Sequence, residues 1–165
     1  MSEPAEIESR VLAQLELLGV PYERIPIDPD FADTAQFCER YGVPVENSAN
    51  TILIAAKKGE RRVCACVVAA DRKLDVNHVV RGLLGGSRVS FATAEETREI
   101  SGMQIGGVTA LGLPKDLPVY VDAALLALEY VVIGDGGRSA KLKLSPRVFE
   151  RLPGTTVVPG LGIPR

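Results

Sequence analysis

Thr51-Ile52-Leu53-Ile54-Ala55-Ala56 and Val63-Cys64-Ala65-Cys66-Val67-Val68 are two apolar runs joined by Lys57-Lys58-Gly59-Glu60-Arg61-Arg62. Two such runs bounded by a charged connection containing glycine read as a β-hairpin. Neither run alternates polar with apolar residues, so both faces should be covered and both strands should lie centrally in a sheet. Cys64 and Cys66 are two apart and share a face, as small core residues would. The cations at the tip form either a solvated turn or a phosphate contact.

The flanking segments mix strands with helices. Ile7, Val11, Leu15 and Leu18 keep helical spacing, predicting a helix from Ser2 to Leu18 closed by Gly19. Tyr22 to Ile27 reads as a short strand confined to an edge by Pro26. Asp33-Thr34-Ala35-Gln36 resembles a capping box before a helix through Phe37 and Tyr41, stopped by Gly42. Asp75 can cap a helix ended by Gly85-Gly86, and Thr93-Ala94-Glu95-Glu96 is a second capping-box match, its helix ended by Gly102. Strands follow at Val89 to Ala92, near Val119, and from Tyr130 to Ile133. Ala140-Lys141-Leu142-Lys143-Leu144 alternates strictly, as a half-exposed strand should. Ser145-Pro146 places a cap and a first-turn proline before a helix from Arg147 to Leu152. The stretch from Thr155 to Arg165 holds one strand and a proline-glycine tail. Hairpins interleaved with helices imply an α+β fold rather than strict βαβ alternation. With no repeat or linker, residues 1–165 read as one domain.

Composition narrows the function classes. Of 165 residues, 46% are hydrophobic and 24% charged, the balance of a globular chain with a sizeable core. A net charge of −2 argues against a broad duplex-binding surface, so DNA is not an expected partner; a nucleic-acid end needs only a few local cations. The apolar runs are too short to span a bilayer, and the acidic N-terminus shows no export signal, which points to the cytoplasm. Three cysteines without a Cys-x-x-Cys pair, and a single histidine, leave no metal site and no cofactor to expect.

Two glycine turns stand out, Gly106-Gly107-Val108-Thr109 and Gly134-Asp135-Gly136-Gly137, with Leu117-Pro118-Val119-Tyr120-Val121-Asp122 between them. Such turns are either tight connections or the bare N–H lining of a small pocket. The second is no dinucleotide fingerprint: it lacks the third glycine and runs into a strand instead of opening a helix. Asp122, at a strand end, is a helix cap, a pocket acid, or both. His78, in the first turn of its helix, reads as a surface residue.

In order along the chain, Asn50-Thr51-Ile52-Leu53-Ile54, Cys64 to Asp75, Arg88-Val89-Ser90-Phe91-Ala92, Gly106-Gly107-Val108-Thr109, Leu117 to Asp122 and the Gly134 loop resemble the YbaK/prolyl-tRNA-synthetase-associated domain family from about Phe31 to Val158. The resemblance implies a strongly twisted mixed, mainly antiparallel sheet, a partly open barrel with flanking helices, curled around a pocket. It implies a free-standing trans-editing deacylase that hydrolyses the ester of mischarged aminoacyl-tRNA. Its partners would be the aminoacyl-tRNA acceptor end and a synthetase. Positioning and oxyanion donors suffice for an activated ester, so no protein nucleophile is required. On this reading Asn50, Gly106, Gly107 and Asp122 form the catalytic set. Thr109, Ala110, Gly134, Gly136, Ser139 and Lys141 contact substrate, with Lys141 a compensating cation.

Two positions depart from the family pattern. Asn50 stands where the family commonly has lysine, and Ala110 where it has the proline of a Gly-x-x-x-Pro turn. Asparagine donates hydrogen bonds but carries no charge. The other class left open is therefore a module that binds an aminoacyl end or a small carboxylate without cleaving it.

Overall fold

The structure, a computed structural model, describes residues 4–56, 62–86 and 88–165; the hairpin-tip residues 57–61 lie outside them. Helix α1 spans Pro4–Leu18 and ends at Gly19, whose φ of 69° is the left-handed conformation that glycine adopts without strain. β1 is Tyr22–Pro26 and α2 is Thr34–Tyr41. β2 (Ala49–Ala56) and β3 (Val63–Ala69) are the expected antiparallel pair, with Ile52 opposite Cys66. β4 (Arg72–Leu74) leads into a helical stretch at Val76–Val80 that continues as α3 (Arg81–Leu83). β5 (Val89–Phe91) and α4 (Ala94–Ser101) follow. β6 (Val119–Asp122), β7 (Val131–Gly134), β8 (Ala140–Leu144), α5 (Val148–Arg151), β9 (Thr155–Val158) and β10 (Gly162–Pro164) complete the order.

The strands form three open sheets: β5-β2-β3-β6-β9, β1-β8-β7, and the pair β10-β4. Pairing is antiparallel except for β3 with β6 and β6 with β9. The fold is mixed α+β with mainly antiparallel pairing, as the sequence implies. β3 shows why its run never alternates. Ala65, Val67 and Ala69 face a core shared with Ile7, Val11 and Leu15 of α1, whereas Cys64, Cys66 and Val68 face a second core with Leu74, Val80 and Leu161. Each large apolar side chain so buried contributes about 1.5–3 kcal/mol.

Local signals held where the chemistry is local. Thr93 and Glu96 close a complete capping box on α4. Asp75 caps its helix by accepting from the His78 N–H, and the exposed His78 ring meets the same carboxylate at 3.1 Å. Three expectations are corrected. Asp33 precedes α2 but makes no side-chain cap; its carboxylate turns to Arg138, at 3.2 Å. The tail contains a further strand, β10, which pairs with β4 from almost ninety residues away. β8 is not half-exposed: it lies between β1 and β7, and Lys141 is 6% exposed. One face of β8 packs Leu142 and Leu144 into the main core; on the other, Lys141 sits 5.5 Å from the Phe37 ring centre and Lys143 covers Tyr130.

Candidate active site

The two larger sheets meet at a parallel bridge between Ser48, just before β2, and Val132 of β7. At that junction lies a cleft of about 250 Å³. Its walls come from β2 (Asn50, Ile52), β7 (Ile133, Gly134), Lys141 of β8, the Ile105–Val108 turn, and Asp33 and Thr34 at the start of α2.

Backbone chemistry shapes one wall. The N–H of Gly107 donates to the Gln104 carbonyl at 2.8 Å, closing a turn in which Gly106 has φ 91°. The Gly136 N–H donates to the Gly107 carbonyl at 2.7 Å, tying this turn to the second glycine loop. The loops cross so closely that a Cβ on Gly107 would strike the Gly137 carbonyl, and one on Gly134 would strike the carbonyls of Gly107 and Val108. Glycine is required here for close approach. The N–H groups of Gly106 and Val108 have no acceptor among the described residues, and both residues line the cleft.

Lys141 supplies the cation. It is paired in register with Gly134, which has no side chain to obstruct it, and its Nζ donates to the Gly106 carbonyl. Burial lowers its pKa from the ordinary 10.5 to about 8; Asp135 nearby opposes that shift and Arg138 adds to it. The amine is therefore largely protonated at neutral pH. Asp135 is itself buried, which raises its pKa, although the Gly137 N–H donates to its carboxylate at 3.0 Å. Facing Lys141 from the other sheet, Asn50 is half-buried, and its Oδ1 accepts from the Thr34 hydroxyl at 2.7 Å. With its oxygen so engaged, the Asn50 amide NH₂ is the end left to a ligand.

Of the ten residues expected at the site, the structure brings four to the cleft: Asn50, Gly106, Gly134 and Lys141. Gly107 and Gly136 lie behind it with their N–H groups engaged, Gly107 within its own turn and Gly136 across to the Gly107 carbonyl, so neither is a free donor. Asp122 is elsewhere. β6 is separated from β2 by β3, and the Asp122 carboxylate is buried, accepting from the N–H groups of Ala124 and Gly162. It serves as a cap and a cross-link and does not line this cleft. Thr109 and Ala110 are buried behind the turn, Thr109 donating its N–H to the Met103 sulfur. Ser139 is exposed, and its carbonyl accepts from the Ile27 N–H. The acid that does line the cleft is Asp33, and its neighbour Thr34 holds Asn50. Both sit in the stretch that reads as a capping motif, which is why sequence spacing passed over them.

Residues 28–152 match the family described as the aminoacyl-tRNA editing domain. The chain belongs to that family. Among curated relatives, the uncharacterized protein YwhH of Bacillus subtilis (strain 168) is 29% identical over 116 residues, 70% of this chain and 71% of that protein. Two crystal structures share the architecture. Hypothetical protein APE2540 superposes with a TM-score of 0.81 at 28% identity, covering 93% of this chain and 99% of that one. A protein described as a candidate trans-editing enzyme for prolyl tRNA synthetase superposes with a TM-score of 0.77 at 26% identity, covering 93% and 95%. These matches support an aminoacyl-tRNA editing domain. Among the described residues no helix is long and apolar enough to cross a membrane.

Proposed function

We propose that this chain is a trans-editing deacylase that releases a wrongly attached amino acid from the 3′ end of tRNA, and that the cleft between β2 and β7 is where it does so. The carrying observation is one small cleft lined by the Lys141 cation, the Asn50 amide and the Gly106 and Val108 residues, whose N–H groups have no acceptor among the described residues, in a chain of the editing family. In the reaction a water oxygen attacks the ester carbonyl carbon and gives up a proton, which the departing ribose oxygen takes up; a free hydroxyl of the terminal ribose can orient that water. The carbonyl oxygen takes up negative charge, the bond to the ribose oxygen breaks, and that oxygen leaves protonated. Donors placed for the developing oxyanion lower this barrier without a protein nucleophile. Gly106 and Val108 are the proposed donors, replacing Gly107 and Gly136. Lys141 holds positive charge next to them, the role for which Asn50 lacks the means. A space of about 250 Å³ suits a small side chain and rejects a large one by sterics. The setting is the cytoplasm, where a synthetase would be the natural supplier of the mischarged tRNA.

The second reading is a module that binds the aminoacyl end without cleaving it. The neutral Asn50 and the engaged Gly107 amide favour it. A panel of mischarged tRNAs, assayed for released amino acid, separates the two. Release of at least one small amino acid supports the deacylase. Saturable binding with no release supports the module.

A further inference from the structure

Beside the cleft lies a second hollow, of about 390 Å³, lined by Ala94, Arg98, Met103, Gln104, Ile105 and Arg138. Ile105, an exposed apolar residue, lines both spaces and so forms the ridge between them. Arg138 is fixed against that ridge: its guanidinium donates to the Ile105 carbonyl at 2.6 Å, the Pro29 carbonyl at 2.8 Å and the Asp33 carboxylate at 3.2 Å. Arg98 is exposed on α4 with no ion pair among the described residues. Ala94 and Arg98 are four residues apart and share a helix face, whereas Glu95, Glu96 and Glu99 of α4 do not line the hollow. The space therefore combines two guanidinium groups with a side-chain amide and an apolar base at Met103.

We propose that this hollow binds a phosphodiester of the single-stranded RNA that leads into the cleft, at the nucleotide next to the terminal adenosine. The proposal rests on the deacylase reading for the identity of the RNA. A guanidinium presents paired donors that match phosphate oxygens, and single-stranded RNA adds base contact to an apolar surface. In a chain of net charge −2, Arg98, which has no ion pair among the described residues, beside an Arg138 already paired with Asp33, supplies locally what an overall positive field cannot. Ile105 then separates the aminoacyl end from the nucleotide before it.

The test compares the wild-type chain with Arg98→Gln and Arg98→Lys on two probes: an acceptor-stem minihelix with a single-stranded 3′ end, and an aminoacyl-adenosine ester that carries no phosphate. The expected result is a roughly fivefold loss of minihelix affinity in Arg98→Gln, a salt dependence shallower by about 0.7 in log–log slope, and partial recovery in Arg98→Lys. Cleavage of the phosphate-free ester should suffer at least about threefold less than cleavage of the charged minihelix. Unchanged minihelix affinity and slope in Arg98→Gln overturn the proposal, as do equal losses on the two substrates. Binding of adenosine monophosphate that depends on Arg98, with no binding of the minihelix, assigns the site to a free nucleotide and also overturns it. If the minihelix binds through Arg98 but no probe loses its amino acid, the hollow stands and the deacylase reading falls. If the phosphate-free ester is cleaved while the minihelix is not bound, the reverse holds.

Discussion

Replacing Lys141 by methionine removes one charge from a buried strand while keeping much of its length, and its consequences depend on pH in a direction that can be worked out. In the fold the ammonium has lost most of its water, which lowers its pKa from 10.5 to about 8. An unfolded chain restores the ordinary value. Between these two values the unfolded state binds more protons than the folded one, so stability rises with pH across that window. At about 1.36 kcal/mol per pH unit, the full change is about 3 kcal/mol. Below pH 8 the fold therefore carries the cost of a desolvated cation, offset in part by the Gly106 carbonyl and by Asp135. Denaturant unfolding of the wild type and Lys141→Met, each from pH 7 to pH 10.5, isolates this contribution, because the other titrating groups cancel in the difference. The wild type should gain about 2–3 kcal/mol relative to the variant on going from neutral to alkaline pH. A difference that does not change with pH, or that moves the other way, would show the amine to be hydrated and would refute its placement in the cleft. Catalysis supplies a second readout. Enzymatic release above the spontaneous background should decline through pH 8 in the wild type, and that limb should vanish in Lys141→Met.

The remaining predictions concern the walls of the cleft and the residues assigned away from it. Thr34→Val removes the hydroxyl that holds Asn50 and should lower kcat/KM about tenfold, the worth of roughly one hydrogen bond, with recovery in Thr34→Ser. Gly107→Ala forces a methyl group into the Gly137 carbonyl and should destabilise the fold by about 3 kcal/mol, measured by denaturant unfolding. Asp122→Ala leaves two N–H groups without their acceptor and should cost about 2 kcal/mol, while the release rate per folded molecule stays within about twofold of wild type.

How legible the chain was depended on distance along it. The left-handed glycines at 19, 42 and 102 ended their helices where expected, and the Thr93–Glu96 box formed in full, because each involves only neighbours within one turn. The β2–β3 hairpin was legible because its two apolar runs follow one another directly in the sequence. β10 was not, since its partner β4 lies far away in sequence and a Gly-Ile-Pro stretch carries no strand signal of its own. The alternation of β8 misled because β1 and β7 flank it in the sheet while Phe37 of α2 and Tyr130 lie against the face that Lys141 and Lys143 occupy. Asn50 and Lys141, singled out from family pattern and strand position, both line the cleft. Which loop amides are engaged could not be read for Gly136, whose N–H is taken by the Gly107 carbonyl where two glycine loops distant in sequence cross; the Gly107 N–H is taken by Gln104 inside its own turn. Asp122 illustrates the same limit: an acid at a strand end suits a pocket or a cap, and only the order of β2, β3 and β6 decides between them.

The central claim, that this cleft cleaves the aminoacyl ester, is tested most directly by single-turnover release of amino acid from the best mischarged tRNA of the panel, comparing the wild type with a folded Asn50→Ala/Lys141→Met double variant at saturating protein. The account predicts release by the wild type and a fall of about 100-fold in the double variant. Equal rates for the two proteins, or wild-type binding with no release at all, would contradict it.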